Sequence, residues 1–300
     1  MRNWPRIAFT AALFPVACFA ASAEPVTVDA RTQAGPIIEI LSRRAEADSL
    51  AAAGLLSAFG HREESLPLLH QASLMAPERA DLAWLHLQFC QQDSSCDPEP
   101  LETRLRTLDE KNGAGWFGAL ARASKRGDEQ AASAALAAIA RSERVDTYWT
   151  TLVARLSRQV ASTGAVSVLD AASQIIGGLA AIAIPAYATI SNSCKGASVM
   201  RDDVAQVCRG VAESLLNGDT VITEMVGVHI ARQTWPENSP KWAEATEVRR
   251  KWDEREVLGE SLSAWIVAHP DEYLALCERY RREQDVFKAA QIAMDKNPGR

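Results

Sequence analysis

Five histidines, six cysteines and three Glu-Ser pairs are the residues of this 300-residue chain from which chemistry could be built. The histidines (His61, His70, His86, His229 and His269) are scattered and none stands at ligand spacing from another, so a metal centre of the usual His, Cys or carboxylate kind is not expected. His229 with Glu224 or Cys208 could form an acid/base or nucleophile set only if the fold joins them, and a histidine inside an apolar helix is ordinarily a core or boundary residue. The chain contains no H-E-x-x-H, G-x-S-x-G, Walker A or G-x-G-x-x-G segment, so zinc-protease, serine-hydrolase and nucleotide chemistries lose their usual frames. No catalytic, cofactor-binding or metal-ligating residue is therefore expected, and no cofactor. The enzymatic alternative is glycan cleavage, which needs a general-acid carboxyl of raised pKa in a cleft, and Glu213, Glu224 and Glu260 are the candidates.

The cysteines read structurally. Cys90 and Cys96 bracket a short polar segment, and Cys194 and Cys208 bracket a longer one. In an oxidising compartment nearby pairs form disulfides. Neither pair is C-x-x-C and no histidine lies beside them, which argues against thioredoxin chemistry and zinc. Cys277 is left over and reads as a buried apolar thiol, with an intermolecular link as the alternative.

The compartment follows from the N-terminus. Arg2 and Arg6 precede an apolar stretch from Ile7 to Phe19, and Ala21-Ser22-Ala23 offers a small-x-small cleavage pattern. Residues 1–23 thus read as a signal peptide with cleavage after Ala23, giving a periplasmic or secreted protein. The alternative treats Val16-Ala17-Cys18 as a lipobox and tethers the chain through a lipidated Cys18. The formal charge is −6, and cleavage removes two arginines, so no basic face recommends a nucleic-acid partner. Hydrophobic residues make up 47% and charged residues 23%, the composition of a chain that buries a core.

The elements expected to carry these residues are helices. Alanine- and leucine-rich stretches of ten to twenty residues are separated by turn signals at Gly60, Pro77, Asp93 to Pro100, Gly113, Gly127-Asp128, Ser162 to Gly164, Gly218-Asp219 and Pro236 to Pro240. The expected class is all-α, with about twelve to fourteen helices. Residues 24–36 read as a linker, 37–162 as helical repeats and 163–300 as a C-terminal helical domain.

Trp84, Trp116 and Trp149 recur at intervals of 32 and 33 residues, each near the start of an apolar helical segment. Gly127-Asp128 follows Trp116, then Ala132, Leu136 and Ile139. Over about Ser49 to Ser162 this pattern resembles the tetratricopeptide repeat, which implies stacked helical hairpins and a curved groove. Cys90 to Pro100 departs from it by replacing a Gly-Asp turn. The resemblance implies that Phe89, Gln92, Phe117, Ser124, Thr150 and Ser157 face the groove. That surface lacks the Lys, Arg and Asn with which such proteins clamp a terminal carboxylate, so an apolar peptide suits it better. Alternatively, Ala171 to Ile190 or the C-terminal helices fill the groove.

Beyond the repeats, Val207 to Trp235 reads as a further helix pair turning at Gly218-Asp219. Ala171 to Cys194 has no charge and reads as a buried helix, apolar all round and kinked or broken at Pro185, rather than a membrane span. Pro240 to Met294 reads as two helices parted at His269-Pro270, with Trp252, Leu258, Leu262 and Trp265 on a buried stripe. The function expected is a non-catalytic exported scaffold for an envelope protein or peptide, without membrane contact unless Cys18 carries lipid. Lytic transglycosylases are the enzyme class to set against it, but no Glu-Ser pair here leads into their Gly-Leu-Met-Gln type of segment.

Overall fold

The alternation of apolar stretches and turn signals resolves into fourteen α-helices among the described residues of the computed structural model, which are 30–58, 62–196, 199 and 201–296. They are α1 (Ala30–Ser42), α2 (Ala47–Ser57), α3 (Arg62–Met75), α4 (Ala80–Cys90), α5 (Glu99–Leu108), α6 (Phe117–Arg126), α7 (Glu129–Arg141), α8 (Trp149–Ala161), α9 (Val168–Ser193), α10 (Asp202–Leu216), α11 (Val221–Thr234), α12 (Pro240–Ala268), α13 (Pro270–Arg279) and α14 (Glu283–Lys296). No strand occurs among these residues, and one isolated bridge pairs Asn112 with Arg144. The class is all-α. The signal-peptide reading, Cys18 and Gly60 fall outside the described residues.

Local chemistry sets the hairpins. α2 is nearly all Ala, Leu and Gly, and buries Ser49 to Ser57. Its Gly54 lets α3 lie close, since a Cβ there would stand 2.8 Å from Leu69 Cγ. α6 ends at Gly127 in the left-handed region (φ 67), where any other residue except Asn would cost ~1 kcal/mol. Asp128 then starts α7 by accepting the Ala131 N–H at 2.9 Å. α10 and α11 form the further pair that the sequence suggested, and Thr220 caps α11 by accepting from Thr223 N.

Several expectations are corrected. Residues 30–36 belong to α1 rather than a linker, because Ile37, Ile38 and Leu41 are buried against α2 and anchor the helix despite Pro36. The three indoles are not equivalent. Trp84 lies inside α4 and is 2% exposed, Trp116 ends a 3-10 turn before α6, and Trp149 is the first residue of α8. Stacking in chain order also stops at α8, which packs on α2, α9 and α13, while α7 packs on α10. The C-terminal region forms three helices, because Tyr280 to Arg282 interrupts the second. On α12, Trp265 is buried, Trp252 and Leu262 are half-buried, and the Leu258 side chain is outside the described set.

α9 runs through Pro185 without a break and, among its described side chains, buries one face only. Ala171, Ile175, Leu179, Ile182, Tyr187 and Ile190 point inward, whereas Ser173, Gly177, Ala181 and Ala188 face out. Its inner face meets α2, α4, α6 and α8 on one side and α11 and α13 on the other. A single apolar cluster accordingly extends from Ile37 to Ala290, so position 162 does not divide two cores.

Candidate functional site

Most of the expected groove is occupied by the chain itself. Phe117 is 6% exposed and meets the Tyr187 ring of α9 edge-on at 5.7 Å. Thr150 is buried and donates its hydroxyl to the Arg281 carbonyl at 3.0 Å, and Ser157 is fully buried in α8. Phe89 is also largely buried. Phe117, Thr150 and Ser157 are corrected from groove contacts to core residues, with the Tyr187 ring of α9 against Phe117 and the Arg281 carbonyl of the α13–α14 turn on Thr150, while Phe89 keeps only an edge accessible. Ser124 and Gln92 are exposed.

Of these two, Gln92 lies beside the Cys90–Cys96 disulfide. A recess of about 410 Å³ is lined by Glu63 and Leu66 of α3, Phe89 of α4, and Gln92, Asp93 and Ser94 of the disulfide loop. The loop is shaped locally, with Asp93 accepting from the Ser95 N–H at 2.8 Å and from its hydroxyl at 2.7 Å. A second recess of about 570 Å³ follows the outer face of α5 through Pro100, Thr103, Arg104, Thr107 and Leu108. Neither is lined by an imidazole or a thiol.

The candidate acids do not meet a cleft. Glu213 is exposed and lies 3.5 Å from Lys241 Nζ. Glu224 is 1% exposed and ion-paired with Arg282, and the Glu260 side chain is outside the described set. Cys208 is disulfide-bonded to Cys194 and cannot act as a thiolate. His229 is exposed and contacts the Gln233 amide at 2.8 Å rather than a carboxylate. Cys277 is free and buried, and burial pushes its thiol up to about 12, which keeps it protonated and unreactive. Among the described residues no group of three His, Cys, Asp or Glu side chains could hold a metal ion.

Buried ionisable groups instead converge where three turns meet. α8 starts after Tyr148, which is left-handed (φ 58) and provides no side-chain cap. The missing acceptor comes from Asp219, in the α10–α11 turn, which takes the Thr147 and Trp149 N–H groups at 2.9 and 3.0 Å. Burial and then the neighbouring Asp146 raise the Asp219 carboxyl, while those two N–H bonds lower it. Asn112 accepts from Ala114 N and Asp146 N and donates to the Asp146 carbonyl and the Tyr148 hydroxyl. Tyr148 in turn donates to Asp109 at 2.9 Å, and Arg144 holds Asp109 through two bonds of 2.8 Å. Burial, followed by Asp109, pushes the Tyr148 hydroxyl up.

The α13–α14 turn closes this cluster. Arg281 reaches Asp146 at 3.4 Å and the Asn217 carbonyl at 3.0 Å. Arg282 reaches Glu224 and the Leu216 carbonyl, and Glu283 accepts the Val221 N–H at 3.0 Å. Sequence reasoning missed Asn112, Asp146, Asp219 and Glu283 because their partners lie 34 to 135 residues away. The available signal was Asp219 beside Gly218, which the sequence marks as a helix start but which caps α8 instead of its own helix. No family model, curated protein or solved structure matches the chain.

Proposed function

We propose that this chain is an exported, non-catalytic scaffold, tetratricopeptide-like over its first hairpins, that holds a segment of another envelope protein beside the Cys90–Cys96 loop. The observation that carries the reading is the recess in which Gln92, with the edge of Phe89, stays accessible while α9 meets Phe117 and the α13–α14 turn meets Thr150. The buried carboxyls support it too, because Asp146, Asp219 and Glu224 are engaged in capping and ion pairing and line neither recess. Two disulfides are compatible with an extracytoplasmic location.

A photocrosslinking residue at Gln92 in the exported protein tests this. The expected result is a discrete adduct with one envelope protein, lost when Ser94→Arg fills the recess and absent when the crosslinker replaces Arg126 on the far side of α6. Equal labelling from positions 92 and 126 would overturn it. So would muropeptide release from purified cell wall that a single Glu213→Gln, Glu224→Gln or Glu260→Gln change abolishes.

A further inference from the structure

We propose that the Cys90–Cys96 disulfide is a thiol-exchange site, opened at Cys96 by a dithiol reductant while Cys194–Cys208 stays shut, and that its opening releases the loop wall of the recess beside it. Exchange requires a sulfur that an external thiolate can reach, and the two bonds differ there. Cys194, which follows α9, and Cys208 of α10 are both 0% exposed, so a thiolate reaches neither unless the helices part. Cys90 is 1% exposed as the last residue of α4. Cys96 is half-buried and follows the exposed residues Gln91 to Ser95. Of the four linked cysteines it alone has appreciable surface open to solvent.

The chemistry then has a direction. A reductant thiolate attacks Cys96 Sγ, a mixed disulfide forms, and the S–S bond breaks with Cys90 leaving as the thiolate. That thiolate stands at the C-terminal end of α4, where the helix dipole disfavours negative charge. It takes a proton from water, and as a thiol it attacks back slowly. The second thiolate of the reductant attacks the reductant's own sulfur in the mixed disulfide, closes the reductant's disulfide and frees Cys96, which is protonated in turn. Two electrons and two protons have passed to the cysteine pair.

What else holds the loop is local. Ser95 donates its N–H and hydroxyl to Asp93, and the Cys96 N–H donates to the Asp93 carbonyl at 3.2 Å. Among the described residues, Ser94 to Cys96 are tied back to α4 through Asp93 and through the disulfide. Beyond the loop, α5 keeps its own anchors, since Glu102 pairs with Arg122 and Leu105 is buried. Opening therefore frees the wall formed by Gln92, Asp93 and Ser94 and leaves the flanking helices in place.

Graded dithiothreitol on the mature protein, quenched with N-ethylmaleimide in denaturant and followed by peptide mapping, tests the exchange. Cys90 and Cys96 are expected to label together, at least about tenfold faster than Cys194 and Cys208, with the thermal transition retained. Glutathione in place of dithiothreitol traps the first step and is expected on Cys96, with maleimide on Cys90. Equal or reversed rates for the two disulfides would overturn the proposal, as would glutathione on Cys90 or labelling only where the fold is lost. The release of the wall is read by nitrogen-15 relaxation. Order parameters of Ser94 to Cys96 are expected to fall from rigid-backbone values of about 0.85 to below about 0.6 on opening. Unchanged order parameters would overturn the release. Both measurements are made on the chain alone, so their failure is separate from a failure of the scaffold reading, which the Gln92 crosslink decides.

Discussion

His86 sits on α4 with 4% of its surface exposed, its Nδ1 buried without a hydrogen-bond partner and the His70 ring edge-on at 5.3 Å. Burial, followed by His70 and then the Arg104 guanidinium, lowers it from 6.5 to about 4. A base whose folded value is depressed stays neutral in the native state while the unfolded chain takes up a proton below 6.5. The unfolded state then binds more protons, so this residue's contribution is fully present above pH 6.5 and is lost as pH falls toward about 4. The expected outcome is that, on acidification through that window, the urea midpoint of the wild type falls relative to that of His86→Gln. Comparing slopes rather than levels removes any packing cost of the variant. It also cancels contributions common to both proteins, including that of Glu283, whose carboxyl is raised to about 7 and acts with the opposite sign. Equal slopes in the two proteins would show that His86 is not the group being titrated.

The two disulfides act on elements of different reach. Cys90–Cys96, with a sequence separation of 6, ties off the loop after α4, whereas Cys194–Cys208, with a separation of 14, fastens the end of α9 to the middle of α10. Constraint of the unfolded chain predicts a loss of about 2 kcal/mol for the first and about 3 kcal/mol for the second when each is replaced by a serine pair. Chemical denaturation of the two double variants checks the order, and a larger loss from the shorter loop would contradict the entropic account. Both pairings were legible, because two closely spaced pairs among the cysteines leave few alternatives. Helix existence was legible for a similar reason, since turn residues at Gly127-Asp128 and Gly218-Asp219 act locally. The partners of each helix were not. α8 returns to α2 instead of stacking on α7, and the α7–α8 loop is welded to α10 by Val145 N to Ser214 O at 3.1 Å and by Asp219 N to Val145 O at 3.1 Å. Such bonds span about seventy residues and leave no periodic trace, so the evenly spaced indoles suggested a regularity that this packing interrupts. The candidate site suffered likewise: the exposure of Gln92 was legible, but the burial of Phe117, Thr150 and Ser157 depends on where distant elements such as α9 and the α13–α14 turn lie.

At the scale of the molecule, α9 packs on α2, α4, α6, α8, α11 and α13, and it is also the one described helix long and apolar enough by length and composition to cross a membrane. Its residue distribution separates the two uses. The branched side chains Ile175, Leu179, Ile182 and Ile190 are all within 8% of complete burial, while the outward positions hold Ser173, Gly177, Ala181 and Ala188. Small side chains cost little to hydrate and contribute little to membrane insertion, so the outward face suits water better than lipid tails. Burying the inner face joins helices from the first hairpin to the last, which is why one helix can close an array that the repeat pattern alone would leave open. Two aspartates test this arrangement. Leu179→Asp places a charge in the core and is expected to destabilise the fold by about 4 kcal/mol or more, with loss of the cooperative thermal transition. Ala181→Asp lies two residues along on the wet face and is expected to change stability by no more than about 0.5 kcal/mol and to leave the protein soluble. A helix seated in lipid predicts that Ala181→Asp is the damaging change, because the charge would then meet hydrocarbon where this structure exposes the residue. Thermal unfolding and fractionation of the two variants discriminate, since the two arrangements rank the same pair of substitutions in opposite order.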